Sequence, residues 1–127
     1  MNPGLRFGII LLALTLASPN LVQAQASVPP GVTPAMVEKG NQLFHKEALC
    51  YACHGPDAKG LVGPNLTDDV WVHSKGTFDD IVNQILKGVS KEESKSGIPM
   101  PAKGGSSLSD EDVKAVAAYV WSLSHRS

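Results

Sequence analysis

The densest chemistry in this chain lies in five consecutive residues, Cys50-Tyr-Ala-Cys53-His54. In a helical turn, Cys50, Cys53 and His54 stand at i, i+3 and i+4 and face one way. Two thiols and an imidazole on one face can ligate a metal, run a redox dithiol, close a disulfide or anchor a cofactor. A structural zinc site takes four ligands, and this motif supplies three, with the other histidines isolated along the chain. A thioredoxin-like dithiol belongs in a strand–helix–strand setting, which the surrounding sequence lacks. A disulfide between these two cysteines, the only ones present, would close a loop too small to restrain the unfolded chain much. Neither dithiol reading explains the adjacent histidine. Covalent c-type haem attachment does: C-x-x-C-H offers two thioethers to the porphyrin edge and an imidazole to the iron. The expectation is one haem c bonded through Cys50 and Cys53, with His54 on the iron.

The sixth position of such an iron decides what it can do. A thioether opposite histidine raises the potential of haem iron. Met100 lies in the long polar loop of residues 90–107, within Gly97-Ile-Pro-Met-Pro101. Pro99 and Pro101 fix φ on both sides of it, so the loop is stiff enough to hold sulfur in one place. Met100 is the expected ligand, the plainer alternative being a loop residue packed on the haem edge. Met36 precedes the haem motif and reads as a core residue of the first helix. His73, in Trp71-Val-His-Ser74, is the main rival ligand; bis-histidine ligation would lower the potential. His45 and His125 read as solvated.

Helices must position these groups. Thr33-Pro34 combines a capping hydroxyl with proline at the first helical position, opening a helix expected from Pro34 to about Ala48. Gly40 and Phe44 share one face of it. Residues 55–76 hold six glycines and prolines and read as irregular chain wrapped around something. Thr77-Phe-Asp-Asp80 opens a second helix in capping-box style. Phe78, Ile81, Val82, Ile85, Leu86 and Val89 keep its apolar face, and Gly88 lies near its end. Ser109-Asp-Glu-Asp112 caps a third helix and places acids at its positive end. Val113, Val116, Ala117, Val120 and Trp121 form its apolar face. The fold class is all-α: three main helices plus loops. Aromatic residues are few, and a buried flat cofactor would supply much of the interior that a chain this short needs.

The first 26 residues carry a single charge, Arg6, then the apolar run Gly8–Ala17 and small-residue sites ending at Ala24 and Ala26. These are the parts of a cleavable secretory signal. The run stops at Ser18-Pro19, short of the roughly 20 residues of a membrane span; the rival is an uncleaved membrane anchor. Residues 27–33 read as a linker and 34–127 as the working domain. Without Arg6, ten basic face twelve acidic side chains, a formal charge of −2 with histidine neutral. That balance is too weak and mixed to point to nucleic acid.

Five pieces in this order resemble the class I cytochromes c, from about Met36 to Leu123, and especially the small bacterial members similar to haem domains of cbb3-type oxidases. They are Gly40-x-x-x-Phe44, the Cys50–His54 motif, Gly63-Pro-Asn-Leu66, Ile98-Pro-Met-Pro101 and Val116-Ala-Ala-Tyr-Val120. The resemblance implies the class I fold around one haem, a last helix crossing the first, and a Pro64 carbonyl accepting the hydrogen bond of the iron-bound histidine. Phe44, Tyr119 and Trp121 would then join the first and last helices over a haem edge. Trp71 would either reach a propionate or fill the core. A haem closed by His54 and Met100 has no open position, which implies a periplasmic one-electron carrier rather than an enzyme, with no small-molecule substrate. The expected donor is a periplasmic dehydrogenase or membrane complex, and the expected acceptor a terminal oxidase or reductase. A dedicated cytochrome subunit of one oxidoreductase complex is the alternative. A haem enzyme or gas binder would need an open iron. Lys91-Glu-Glu-Ser-Lys95 mixes signs where small cytochromes often carry a lysine-rich docking face.

Overall fold

The computed structural model describes residues 28–125. The expected secretory signal therefore lies outside the described residues, as does the first residue of the linker. Four α-helices carry the described chain: α1 Pro34–His45, α2 Cys50–His54, α3 Phe78–Lys87 and α4 Asp110–Ser124. A short 3-10 turn, Ala102–Gly105, lies between α3 and α4. No strand forms among the described residues; Val89 and Met100 make an isolated antiparallel bridge.

Three of the helices start where hydroxyl side chains cap them. Thr33, Thr77 and Ser109 accept from the backbone N–H groups of Met36, Asp80 and Asp112 at 3.2, 3.2 and 3.1 Å. Each satisfies a donor that the first helical turn leaves without an intrahelical partner. The first helix is shorter than its apolar pattern suggests. The Leu43 carbonyl accepts from both Lys46 and Ala48 (3.1 and 3.0 Å), which closes α1 at His45. Leu49 then takes a left-handed conformation, φ 55°, and turns the chain into the separate five-residue helix α2.

Helices α1 and α4 make the principal packing contact. Gly40 is buried against α4: a side chain there would overlap the Ala115 carbonyl and come within 2.9 Å of Tyr119 Cβ. One turn on, Phe44 is fully buried and meets the Tyr119 ring edge-on at 5.4 Å. Val113, Val116, Ile81, Ile85 and Leu108 complete the core. Trp121 is buried too, but on the α3 side, where it lines a groove of about 590 Å³ with Phe78, Lys75, Pro30 and His125. Met36 is half-buried and lies outside the core, because it sits in the first turn of α1, before the face that meets α4.

The acids at the helix starts tie stability to pH. Asp80 is held below its ordinary value, near 3.8, by the Thr77 hydroxyl first and by the Lys75 N–H. Lys103 does the same for Asp110. Lys39, with help from Ser109, does so for Asp112. Carboxyls with depressed folded values add stability that is complete above the unfolded value and lost as pH falls through the folded one. The melting temperature is therefore expected to hold from neutral pH to about 4 and to drop below it. Asn at all three positions should flatten that acid limb in thermal melts; an unchanged limb would assign acid sensitivity to other groups.

Candidate haem site

The five residues of α2 place Cys50, Cys53 and His54 within one and a half helical turns, on one side. Backbone returning from the next loop seals the end of this short helix. Gly55 donates to the Tyr51 carbonyl (2.8 Å), Gly63 to that of Cys53 (2.9 Å) and Gly60 to that of His54 (2.8 Å). These bonds satisfy carbonyls that a helix C-terminus leaves open. They also bring the Gly63-Pro64 turn against the imidazole.

His54 is buried, 8 % exposed. Its Nδ1 donates to the Pro64 carbonyl at 2.9 Å, and no hydrogen bond among the described residues engages Nε2. A ring oriented through Nδ1 with Nε2 left open is the arrangement of a metal-binding imidazole backed by a carbonyl. Gly63 makes the approach possible, since a Cβ there would stand 2.8–3.2 Å from three atoms of the ring. Burial holds the imidazole below its ordinary value, while the Pro64 carbonyl works in the opposite direction. The net effect favours the neutral ring, the form that ligates metal.

The two thiols are not joined in a disulfide. Cys50 is half-buried, its Sγ 3.6 Å from the Ala48 carbonyl, and Cys53 is exposed. Burial pushes the Cys50 thiol up to about 11. A reactive thiol is favoured by the opposite shift, so the surroundings of Cys50 do not activate it as a redox nucleophile. Among the described residues, five of the seven exposed large apolar side chains (Leu49, Tyr51, Leu61, Val62 and Val70) belong to α2 or the chain flanking it. A sixth, Ile98, lies two residues before Met100. Apolar groups gathered in the segments around His54 and Met100 suit a large flat apolar cofactor. The donor set, the open Nε2 and this apolar surface fit a covalently attached haem.

Met100 is half-buried against the core. Its backbone is fixed on both sides, donating to Val89 at 3.0 Å and accepting from it at 2.8 Å. Gly88 allows this closeness, because a Cβ there would overlap the Met100 carbonyl. The turn after Met100 reaches the start of the cysteine motif, where Gly104 abuts the same Ala48 carbonyl that Cys50 approaches.

The remaining histidines differ from expectation in part. His73 is exposed, in a groove with Asp80, Lys87 and Glu93. His45 is not simply solvated: its Nδ1 and Nε2 reach the carbonyls of Asn41 and Pro56, each at 2.8 Å. It fastens the end of α1 to the loop after α2. Neither is His125, which is half-buried, stacks on Trp121 at 4.2 Å and 14°, and reaches the Trp121 carbonyl at 2.8 Å. Both rings gain backbone carbonyls that lie one helical turn upstream. Trp71 is half-buried, its indole edge covered by Gly76. Lys103 carries no sequence signal for its place here: its Nζ reaches the Leu108 carbonyl and Asp110, each at 2.9 Å.

Comparison with known proteins matches this geometry to a family. Two solved cytochromes cL share the fold. That from Methylophaga aminisulfidivorans superposes with a TM-score of 0.53 at 23% identity, over 72% of this chain and 55% of its own. That from Hyphomicrobium denitrificans gives 0.50 at 24%, over 67% and 45%. They place the chain in the all-α class I cytochrome c fold. Curated relatives include the cbb3-type cytochrome c oxidase subunit CcoP of Rubrivivax gelatinosus, 42% identical over 65% of this chain and 25% of its own length. Subunit FixP of Azorhizobium caulinodans is 36% identical over 94% and 38%. The chain thus spans between a quarter and two-fifths of the length of these relatives. Residues 35–120 match the family model described as cytochrome c oxidase, cbb3-type, subunit III, and the chain belongs to that family of haem c domains.

Proposed function

We propose that this chain is an electron-carrying haem domain that works as the cytochrome subunit of a cbb3-type oxidase complex. The observation that carries it is the His54 imidazole, fixed by the Pro64 carbonyl inside a C-x-x-C-H helix. Haem, when bound, supplies reversible one-electron iron chemistry. The chain's own residues hold and tune it. Cys50 and Cys53 would bond its edge, and His54 would bind one face of the iron. Met100 would bind the other and leave no site for a reactant, so the domain acts as a carrier and not as an enzyme. The subunit reading takes precedence over a free shuttle because the relatives named above are oxidase subunits. Residues 1–26 would direct the domain to the periplasm, either as a cleaved leader or as an anchor.

The decisive variant is Met100→Ala. It should lower the reduction potential by tenths of a volt, within the roughly 0.8 V that axial ligands command. It should also abolish the sulfur-to-iron charge-transfer absorption. An unchanged potential and spectrum would remove Met100 from the iron. Stable co-purification with an oxidase at moderate salt is expected for the subunit; elution alone would return the domain to a free carrier.

A further inference from the structure

The 3-10 turn that follows Met100 is built against ordinary backbone preference. Lys103, Gly104 and Gly105 all have positive φ, at 53°, 67° and 78°. Glycine adopts this region freely, whereas a residue with a Cβ is penalised there. A lysine at the first of the three positions is therefore unfavourable unless its side chain returns something.

Its ammonium does so. Lys103 Nζ donates to the Leu108 carbonyl and to Asp110 Oδ1, each at 2.9 Å. The lysine side chain is 29% exposed, against 56% for Lys39 and 47% for Lys114 in the other ion pairs among the described residues. Its carboxylate partner is 72% exposed, so solvent screens the ion pair, and the part-buried bond to the Leu108 carbonyl is the firmer half of the clasp. Leu108 belongs to the core and Asp110 begins α4. The ammonium thus ties the turn to the fixed start of α4. Around it, the Lys103 carbonyl accepts from the Ser106 hydroxyl at 2.6 Å, and Gly104 donates to the Pro101 carbonyl at 3.0 Å.

Met100 is in this way held from two directions. On its α3 side the Val89 bridge fixes its backbone. On its α4 side the chain runs through Pro101 directly into the turn that Lys103 closes.

We infer that Lys103 is a positioning residue for Met100: its ammonium, clasped by Leu108 and Asp110, locks the 101–105 turn and so resists displacement of the methionine sulfur from the haem iron. This deepens the proposed function and rests on Met100 being the second axial ligand.

The test is a titration of the ferric holoprotein with imidazole, well below its melting temperature. The proteins compared are wild type, Lys103→Gly, Asp110→Asn, Lys103→Arg and Met100→Ala. Glycine removes the clasp and the left-handed penalty together, so the backbone is not strained by the change. Imidazole is expected to bind Lys103→Gly about tenfold more tightly than wild type, equivalent to about 1.4 kcal/mol. Asp110→Asn should shift in the same direction, and Lys103→Arg, which keeps a cation there, should stay near wild type. If Lys103→Gly and Asp110→Asn bind imidazole as wild type does while Met100→Ala binds it tightly, the clasp has no positioning role and the ligand stands. If wild type already binds it as tightly as Met100→Ala, Met100 is not the ligand and both ideas fall. A tighter Lys103→Gly that arginine does not restore would also overturn the assignment to the cation.

Discussion

Replacing Gly40 with alanine is expected to cost about 3 kcal/mol of stability, the upper end of the usual overpacking range, and with valine to leave little folded protein. The added methyl would overlap the Ala115 carbonyl and press on Tyr119 Cβ. A backbone carbonyl inside α4 cannot rotate away as a side-chain tip can. The two helices must separate, and the first casualty is the buried Phe44, whose edge-on contact with Tyr119 lies one turn along the same seam. Glycine in a helix interior costs only about 1 kcal/mol relative to alanine. The gain in helix propensity from the substitution is therefore smaller than the packing loss. Against a total stability of about 5–15 kcal/mol for a domain of this kind, the alanine variant is marginal. Denaturant titration of the holoprotein reads the effect as a lowered midpoint. A Gly40→Ala midpoint equal to wild type would mean that α1 and α4 do not approach this closely.

The parts of this architecture legible in the sequence are those written in side chains. Thr33, Thr77 and Ser109 mark three helix starts because a hydroxyl cap is a local device. Gly40 and Phe44 can be placed on one face by counting turns. The His54–Pro64 bond was an implication of family resemblance, and the geometry places these two groups at 2.9 Å. What escaped was carried by backbone. The bonds from Gly60 and Gly63 that seal α2 leave no trace in composition, because any N–H could donate them. The end of α1 at His45 follows from Leu43 accepting two donors, whereas the apolar pattern continues to Ala48. A left-handed lysine has no sequence signature at all: Lys103 reads as one more polar residue of a loop until its two acceptors are seen.

The same distinction applies to the loop of residues 90–107, which the sequence marks as long, polar and stiffened around Met100 by two prolines. Its two ends are held by the Val89 bridge, just beyond α3, and by the Lys103 clasp at the start of α4. The prolines beside Met100 stiffen a segment that these attachments then aim. Stiffness was visible in the sequence, and direction was not.

Gly63→Val should yield protein with most of its haem missing, and Gly63→Ala a loaded protein with an altered potential. Gly63 has no positive φ, so alanine and valine fit its backbone, and the effect must come from contact with His54. A Cβ at residue 63 would lie 2.8, 2.9 and 3.2 Å from Cε1, Nδ1 and Nε2 of the imidazole. The ring has little freedom to retreat, being buried and tied through Nδ1 to Pro64. The loop is equally constrained, since the Gly63 N–H is committed to the Cys53 carbonyl at 2.9 Å. Alanine must tilt the ring or stretch the Pro64 bond by a few tenths of an ångström. Either change weakens the orientation and basicity that a carbonyl partner gives a metal-bound histidine, and loss of such a partner costs about 10- to 100-fold in metal affinity. Valine adds two further methyls on a stiff, branched side chain beside a Cβ that is already too close to the ring, so the neighbours must give more than for alanine. Haem per polypeptide, measured by alkaline pyridine treatment, and the potential of the loaded fraction report the two effects separately. Full loading of Gly63→Val at the wild-type potential would show that His54 does not depend on the bare face of Gly63, and the proximal half of the proposed site would have to be drawn again.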